Sequence, residues 1–203
     1  MLTKLLSPRT QLYVAVLTLV LSGCQRTTPA SPETLTGVIA QGWSGQAASL
    51  RLDAVTFSSE SGTVLAEVPI GADGRFTTTL PTQEDVAGAL TPVEGCESLE
   101  VSPSPLNVVY AEARVYASTA ASAEKLGVLG YQADVAGTLV SVILIYADAA
   151  GRVSGSCQDL GLDFDLDLLE GWNQVLYAQR GNSTTLTTGD LPDGLRWRFY
   201  ATQ

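Results

Sequence analysis

The chain reads as an all-β protein, an antiparallel β-sandwich, on three observations. Apolar and polar residues alternate with period two along much of its length, β-branched residues recur within the alternating runs, and turn residues follow at short intervals. Many short strands with turn-rich links favour a sandwich or barrel over a helical fold. With 45% hydrophobic and only 16% charged residues, the chain has the apolar surface a core needs and is no disordered tail.

The strands follow in order. Leu50, Leu52 and Ala54 alternate with Arg51 and Asp53. Thr63 to Ile70 continues the alternation up to Gly71-Ala72-Asp73-Gly74, whose Asp-Gly pair marks a turn. Phe76, Thr78 and Leu80 then share a face, and Pro81 stops the strand. Leu106 to Tyr110 and Ala113 to Ala117 are the next two. Thr138 to Tyr146 is apolar on both faces, the pattern of a central, doubly covered strand. Arg152 to Ser154, after Ala150-Gly151, starts a hairpin partner. Leu162 to Leu168, Val175 to Ala178, Thr184 to Thr188 and Leu195 to Ala201 bring the total to about eleven strands. In the last, Leu195, Trp197, Phe199 and Ala201 face one way, and Arg196, Arg198 and Tyr200 the other. Ala111 to Lys125 is the one alanine-rich stretch suited to a helical turn. No repeat marks an array.

Charge and composition exclude several functions. Eleven basic against twenty-one acidic residues leave a net charge of −10, with no basic run, so nucleic acid is no partner and anionic headgroups are repelled. The chain has no histidine, which removes Ser-His-Asp and Cys-His catalysis and the commonest transition-metal ligand. Ser122-Ala123-Glu124-Lys125 spells S-x-x-K, but Lys125 is the only lysine after Lys4, so the K-T-G element of penicillin-binding enzymes is impossible. Gly-rich phosphate loops are absent, and Asn182-Ser183-Thr184 marks a surface turn. The expectation is a protein that is not an enzyme and has no cofactor.

The beginning of the chain gives an address. Lys4 and Arg9 form a positive leader, and Leu12 to Leu21 is an apolar run of ten residues. That length suits a secretory signal helix and falls short of the ~20 residues of a membrane span. The run ends in Leu21-Ser22-Gly23-Cys24, which resembles the lipobox of bacterial lipoproteins. The resemblance implies a signal peptide over 1–23, cleavage after Gly23, and a lipid on Cys24. Two or three acyl chains would then hold the protein on the extracytoplasmic side of an envelope membrane. Residues 24–34 read as an extended Thr/Ser/Pro tether, and 35–203 as the β-sandwich region, with a sub-boundary near 105 if it forms two lobes. Cys96 and Cys157 remain, in an oxidising compartment, and a disulfide between them is the natural reading, against two free buried thiols or a two-cysteine metal site.

Leu35-Thr36-Gly37-Val38, Ser49 to Asp53 and Ala72-Asp73-Gly74-Arg75-Phe76 resemble the transthyretin-like, carboxypeptidase-regulatory-like sandwiches of secreted bacterial proteins. There one strand opens with x-G-x-V and a later one with D-G-x-F. Tyr146-Ala147-Asp148 and Gly171-Trp172-Asn173 are similar to uncharacterised bacterial surface lipoproteins, a resemblance that implies no activity.

Two sets of residues invite a ligand. Asp163, Asp165 and Asp167 alternate with Phe164, Leu166 and Leu168, so a strand would carry all three carboxylates on one face. Such a row suits calcium, or serves as a solvated face that guards a sheet edge. Trp43 and Trp172, flanked by glycine, are candidates for a glycan-stacking platform or for caps on a core, whereas Trp197 sits on the apolar face of its strand. The function expected is a membrane-anchored, non-catalytic structural or protein-interaction module of the envelope. The alternative is a glycan- or calcium-binding module, with polysaccharide in place of an envelope protein as partner.

Overall fold

The computed structural model describes residues 32–56, 59–94, 96–118, 124–181 and 183–202. The expected signal helix over 1–23, Cys24, most of the tether and Ser122 lie outside the described residues. The protein is all-β. β1 (Thr34–Gln41), β2 (Ala48–Thr56), β3 (Ser59–Ile70) and β4 (Arg75–Thr79) come first, then a helical turn, α1 (Gln83–Val86), extended as 3-10 helix over Ala87–Ala89. β5 (Thr91–Pro92), β6 (Ser98–Ser102), β7 (Asn107–Ala117), β8 (Lys125–Val135) and β9 (Thr138–Ala147) follow. β10 (Gly151–Cys157), β11 (Leu162–Leu168), β12 (Gly171–Arg180), β13 (Ser183–Thr187) and β14 (Arg196–Ala201) complete them.

The fourteen strands among the described residues belong to one connected, unclosed sheet. It runs β4, β1, β14, β8, β7, β9, β12, β13, β11, β10, β6, with β2 branching from β7, β3 pairing with β2, and short β5 also on β7. Neighbours are antiparallel except β1 with β14 and β11 with β13, which are parallel. Antiparallel neighbours can be joined by a tight turn, whereas these two pairs are joined through other strands.

Three local expectations need correcting. The stretch suited to a helical turn contributes its first residues, Ala111 to Ala117, to β7, which joins two runs expected as separate strands. The helix sits instead after Pro81, where the Asp85 carboxylate accepts the Thr82 backbone N–H at 2.8 Å and its hydroxyl at 2.7 Å. Four α-helical residues are too few for a period to register. Strand β8 escaped because Gly127 and Gly130 interrupt its pattern. Gly127 is demanded by packing, since a Cβ there would meet the Tyr200 carbonyl oxygen at 2.1 Å.

Strand β9 has both faces buried, as its sequence predicts, only over Leu144–Ala147; Leu139, near its start, is exposed. Leu144 and Tyr146 pack into one core with Leu50, Leu52, Val115, Trp172 and Trp197. Ile145 and Ala147 pack into a second with Leu106, Val153, Leu166, Val175 and Leu186. In the first core the x-G-x-V and D-G-x-F segments lie side by side, Gly37 directly opposite Phe76. Phe76 meets Trp197 edge-on at 5.2 Å, and Trp197 stacks on Tyr131 at 4.8 Å. A Cβ on Gly37 would sit 2.3 Å from the Trp197 ring, so the bare backbone makes room for the indole. Strand β3 pairs only with β2. Its edge is blunted by a bulge and by exposed Glu67 and Pro69.

Cys96 and Cys157 form a disulfide with Cα atoms 5.3 Å apart. Pairing of β6 with β10, Ser98 opposite Ser156, brings the two together. Closing a span of 61 residues restricts the unfolded chain by about 4 kcal/mol in the chain-entropy account. Reduction, or Cys96→Ser with Cys157→Ser, is therefore expected to lower the Tm by several degrees. Thermal unfolding with and without reductant measures it, and an unchanged Tm would remove the bridge as a source of stability.

Candidate functional site

Strands β7, β8 and β9 meet in a junction of three arms. The first half of β7 pairs with the end of β9, from Val108 opposite Ala147 to Ala111 opposite Leu144. The second half of β7 pairs with the start of β8, from Arg114 opposite Val128 to Tyr116 opposite Lys125. The end of β8 pairs with the start of β9, from Tyr131 opposite Val142 to Val135 opposite Thr138. All three pairings are antiparallel. Three strands in a flat sheet cannot all be antiparallel to one another, so they part at Glu112–Ala113, Leu129–Gly130 and Ile143.

A cleft of about 350 Å³ opens at this parting, within the size range of small-molecule sites. Its walls are chiefly apolar, with Val128, Ile143, Ile145, Leu162 and Leu186 among them. Tyr110, Tyr177 and Tyr200 bring rings and hydroxyls, and Gln132 and Ser141 bring amide and hydroxyl groups. Gln132 donates to Ser141 Oγ at 3.0 Å and accepts from the Tyr200 hydroxyl, so these polar groups are held in place across two pairings, β8–β9 and β14–β8. Burial pushes the Tyr110 phenol up to about 12, with Glu112 adding to the rise and Arg114 opposing it.

Behind the cleft lies a buried charge cluster. Asp53 and Glu112 are direct cross-strand partners, as are Arg51 and Arg114, so like charges face each other where the pairing alone would be unfavourable. Contacts along β7, diagonally to β2 and across to β3 reverse this. Arg114 bonds to Glu112 and reaches Asp53 at 3.5 Å, while Arg51 pairs with Glu67 at 3.0 Å and stacks over Tyr116. Asp53 is 2% exposed and Arg114 6%. Desolvation drives the Asp53 carboxyl above the usual range, against the Tyr116 hydroxyl at 3.2 Å and Arg114, which favour the charged form. Its Oδ1 has no hydrogen-bond partner among the described residues.

The residues expected to bind ligands take other positions. Trp172 is 4% exposed, edge-on to Tyr146 at 5.4 Å, with its indole N–H donating to the Pro81 carbonyl at 2.7 Å. Neighbouring Asn173 holds the turn before β12, accepting from Leu169 N–H and donating to the Leu169 and Gly171 carbonyls. A ring so enclosed offers no face to a glycan; the glycines beside it serve a buried indole. Trp43 is half-buried and packs edge-on to Phe199 at 5.9 Å, so the two tryptophans share a core rather than a platform. Asp163, Asp165 and Asp167 do share a strand, β11. Yet Arg152 on β10 bonds Asp165 at 2.8 Å and Asp167 at 3.1 Å, and Asp163 accepts from Ser183. Among the described residues no three acidic or cysteine side chains converge on a metal position. The guanidinium lies between two of the carboxylates that a calcium ion would have needed.

Sequence reading missed the cleft and the cluster behind it. The available sign was charge of both signs at two-residue spacing, Arg51 and Asp53 in one strand and Glu112 and Arg114 in another, each between apolar residues. Which strand met which was not visible.

Two outcomes follow. Trp172→Ala is expected to lower stability by about 3–5 kcal/mol, as for other buried tryptophans, readable by denaturant titration; a loss under 1 kcal/mol would contradict core packing. Tyr110 has a folded-state value above its ordinary one of 10.0. Stability linked to it is therefore complete below pH 10 and is lost as pH rises towards 12. Burial raises the Tyr146 phenol as well, so phenolate absorbance during alkaline titration should show late tyrosines, one of which Tyr110→Phe abolishes; a titration in which that variant loses an early tyrosine would contradict burial of Tyr110. The chain matches no protein-family model, no curated protein and no solved structure.

Proposed function

We propose that the protein is a non-catalytic binding module of the bacterial cell envelope, held to a membrane by lipid on Cys24, and that the junction cleft is its ligand site. The anchor rests on Leu21-Ser22-Gly23-Cys24 with the charged leader and apolar run before it. Residues 24–34 then act as the tether, and the connected sheet packs sandwich-fashion above the membrane. Burial of the two faces of β9 in separate cores supports that packing.

The observation that carries the binding reading is the cleft itself. Strands parted in the middle of a sheet leave an apolar hollow of about 350 Å³ ringed by a few ordered hydroxyl and amide groups, the make-up of a small-molecule site. The carboxylate in its wall, Glu112, is tied to Arg114, which suits orientation of a ligand better than proton transfer. An envelope-protein partner and a surface polysaccharide were the partners the sequence suggested; the cleft favours a smaller ligand than either.

The test compares the protein purified from its own envelope with an Ile143→Trp variant, whose indole would fill the hollow. Solvent extraction and mass spectrometry are expected to find one small molecule stoichiometric with the wild type and depleted from the variant at unchanged Tm. No such molecule, together with a stoichiometric protein captured by in-cell crosslinking, would replace the ligand reading with an interaction module. Labelling with an alkyne palmitate analogue, lost in Cys24→Ala, tests the anchor.

A further inference from the structure

A second cavity, of about 140 Å³, adjoins the cleft: Ile145, Leu162 and Leu186 line both. Its walls are chiefly apolar, with Val153, Phe164 and Leu168 among them; the half-cystine Cys96 closes one side, and exposed Thr91, Pro92, Glu94 and Leu160 stand at its rim. Its inner end, between buried Val153, Leu166, Leu168 and Leu186, suits an apolar guest. The cleft differs in the ordered amide and hydroxyl groups of Gln132, Ser141 and Tyr200 on its wall. Glu112 is the one charged residue among the described residues lining the cleft, and no lysine or arginine lines it. Behind the wall, Arg114 is shared by Glu112 and Asp53, and Arg51 acts on Asp53 while paired with Glu67, so two guanidinium groups face three carboxylates. The three tyrosines add ring faces, which attract cations. A carboxylate or phosphate entering the cleft would meet the Glu112 carboxylate and no lining lysine or arginine.

We infer that the cleft takes a single-chain amphiphile with an ammonium head. The head lies against Glu112 and the tyrosine rings, and the alkyl chain passes Ile145, Leu162 and Leu186 into the second cavity. This rests on the cleft being the ligand site and adds the class of ligand.

The experiment uses the full chain carrying Cys24→Ser, so that no acyl anchor of its own competes, and titrates it calorimetrically with defined probes. Decyltrimethylammonium is expected to bind one to one, and to bind more than about tenfold tighter than decanoate or tetramethylammonium. Each pair of methylenes removed from its chain should weaken binding about tenfold, the transfer free energy of two buried methylenes. Glu112→Gln should weaken decyltrimethylammonium about tenfold, the size of one charged contact, while leaving decanol unchanged. Decylphosphocholine binding as tightly as decyltrimethylammonium would also support the inference and assign the ammonium to a lipid headgroup rather than to a free alkylammonium. Decanoate binding as tightly as the ammonium, or affinity independent of chain length, would overturn it. In either case loss of the remaining binding in Ile143→Trp would leave the cleft standing as a ligand site. Binding of none of these probes would overturn the amphiphile, and an envelope-purified protein that also yields no small molecule would take the cleft reading with it.

Discussion

The structure depends on a geometric constraint at the centre of its sheet. β7 runs antiparallel to β8 and to β9, and those two run antiparallel to each other. A flat sheet cannot satisfy three such relations, so the ladder divides into three arms. Each arm keeps its hydrogen bonds; only the residues at the meeting point give up a cross-strand partner. The division also sends the sheet in three directions. One arm leads through β14 to β1 and β4, one through β12 and β13 to β11, β10 and β6, and β7 itself carries β2 and β3 on its other edge. The apolar covers of the two faces of β9 come from different arms, which is why one strand separates two cores.

The buried charges belong to the same arrangement. Side chains of β2 and β7 on one face make the core, with Leu50, Leu52, Ala111 and Val115 buried. The opposite face carries Arg51, Asp53, Glu112, Arg114 and Tyr116. In an ordinary two-faced sheet that side would be solvated and its ion pairs worth little. Here Asp53 and Arg114 are covered, so these two charges are obliged to neutralise each other diagonally. Removing Arg114 would strand Asp53 in a low-dielectric interior, the most damaging way to alter the cluster.

How much of this was legible in the sequence follows from range. Period-two alternation located β2, β11 and β14 because each signal lies within one strand and one face is apolar, and an apolar run on both faces located β9. The Asp73-Gly74 turn was readable for the same reason, as was the disulfide, with two cysteines left to pair. β8 was hidden because its glycines interrupt the alternation, and Gly127 answers to Tyr200, far away in sequence. Trp172 looked like an exposed loop ring because nothing local announces the Pro81 carbonyl that receives its N–H across 91 residues. The Asp row was legible as a row, but its neutralisation by Arg152 depended on the β10–β11 register. The cleft is the extreme case, for it belongs to no strand and exists only where three of them part.

The parallel contact between β1 and β14 has a consequence in time. β1 gains that neighbour only when Arg196–Ala201, the final strand, has been made. Until then the side of β1 away from β4 is an open edge, and the space beside Gly37 waits for the ring of Trp197. β8 waits with it, since β14 is its partner too. Contacts between segments so distant close slowly because the intervening chain must first be ordered. A chain emerging from β1 towards β14 therefore carries β1 half-partnered until Arg196–Ala201 has been made, and that strand is the one that covers its open edge.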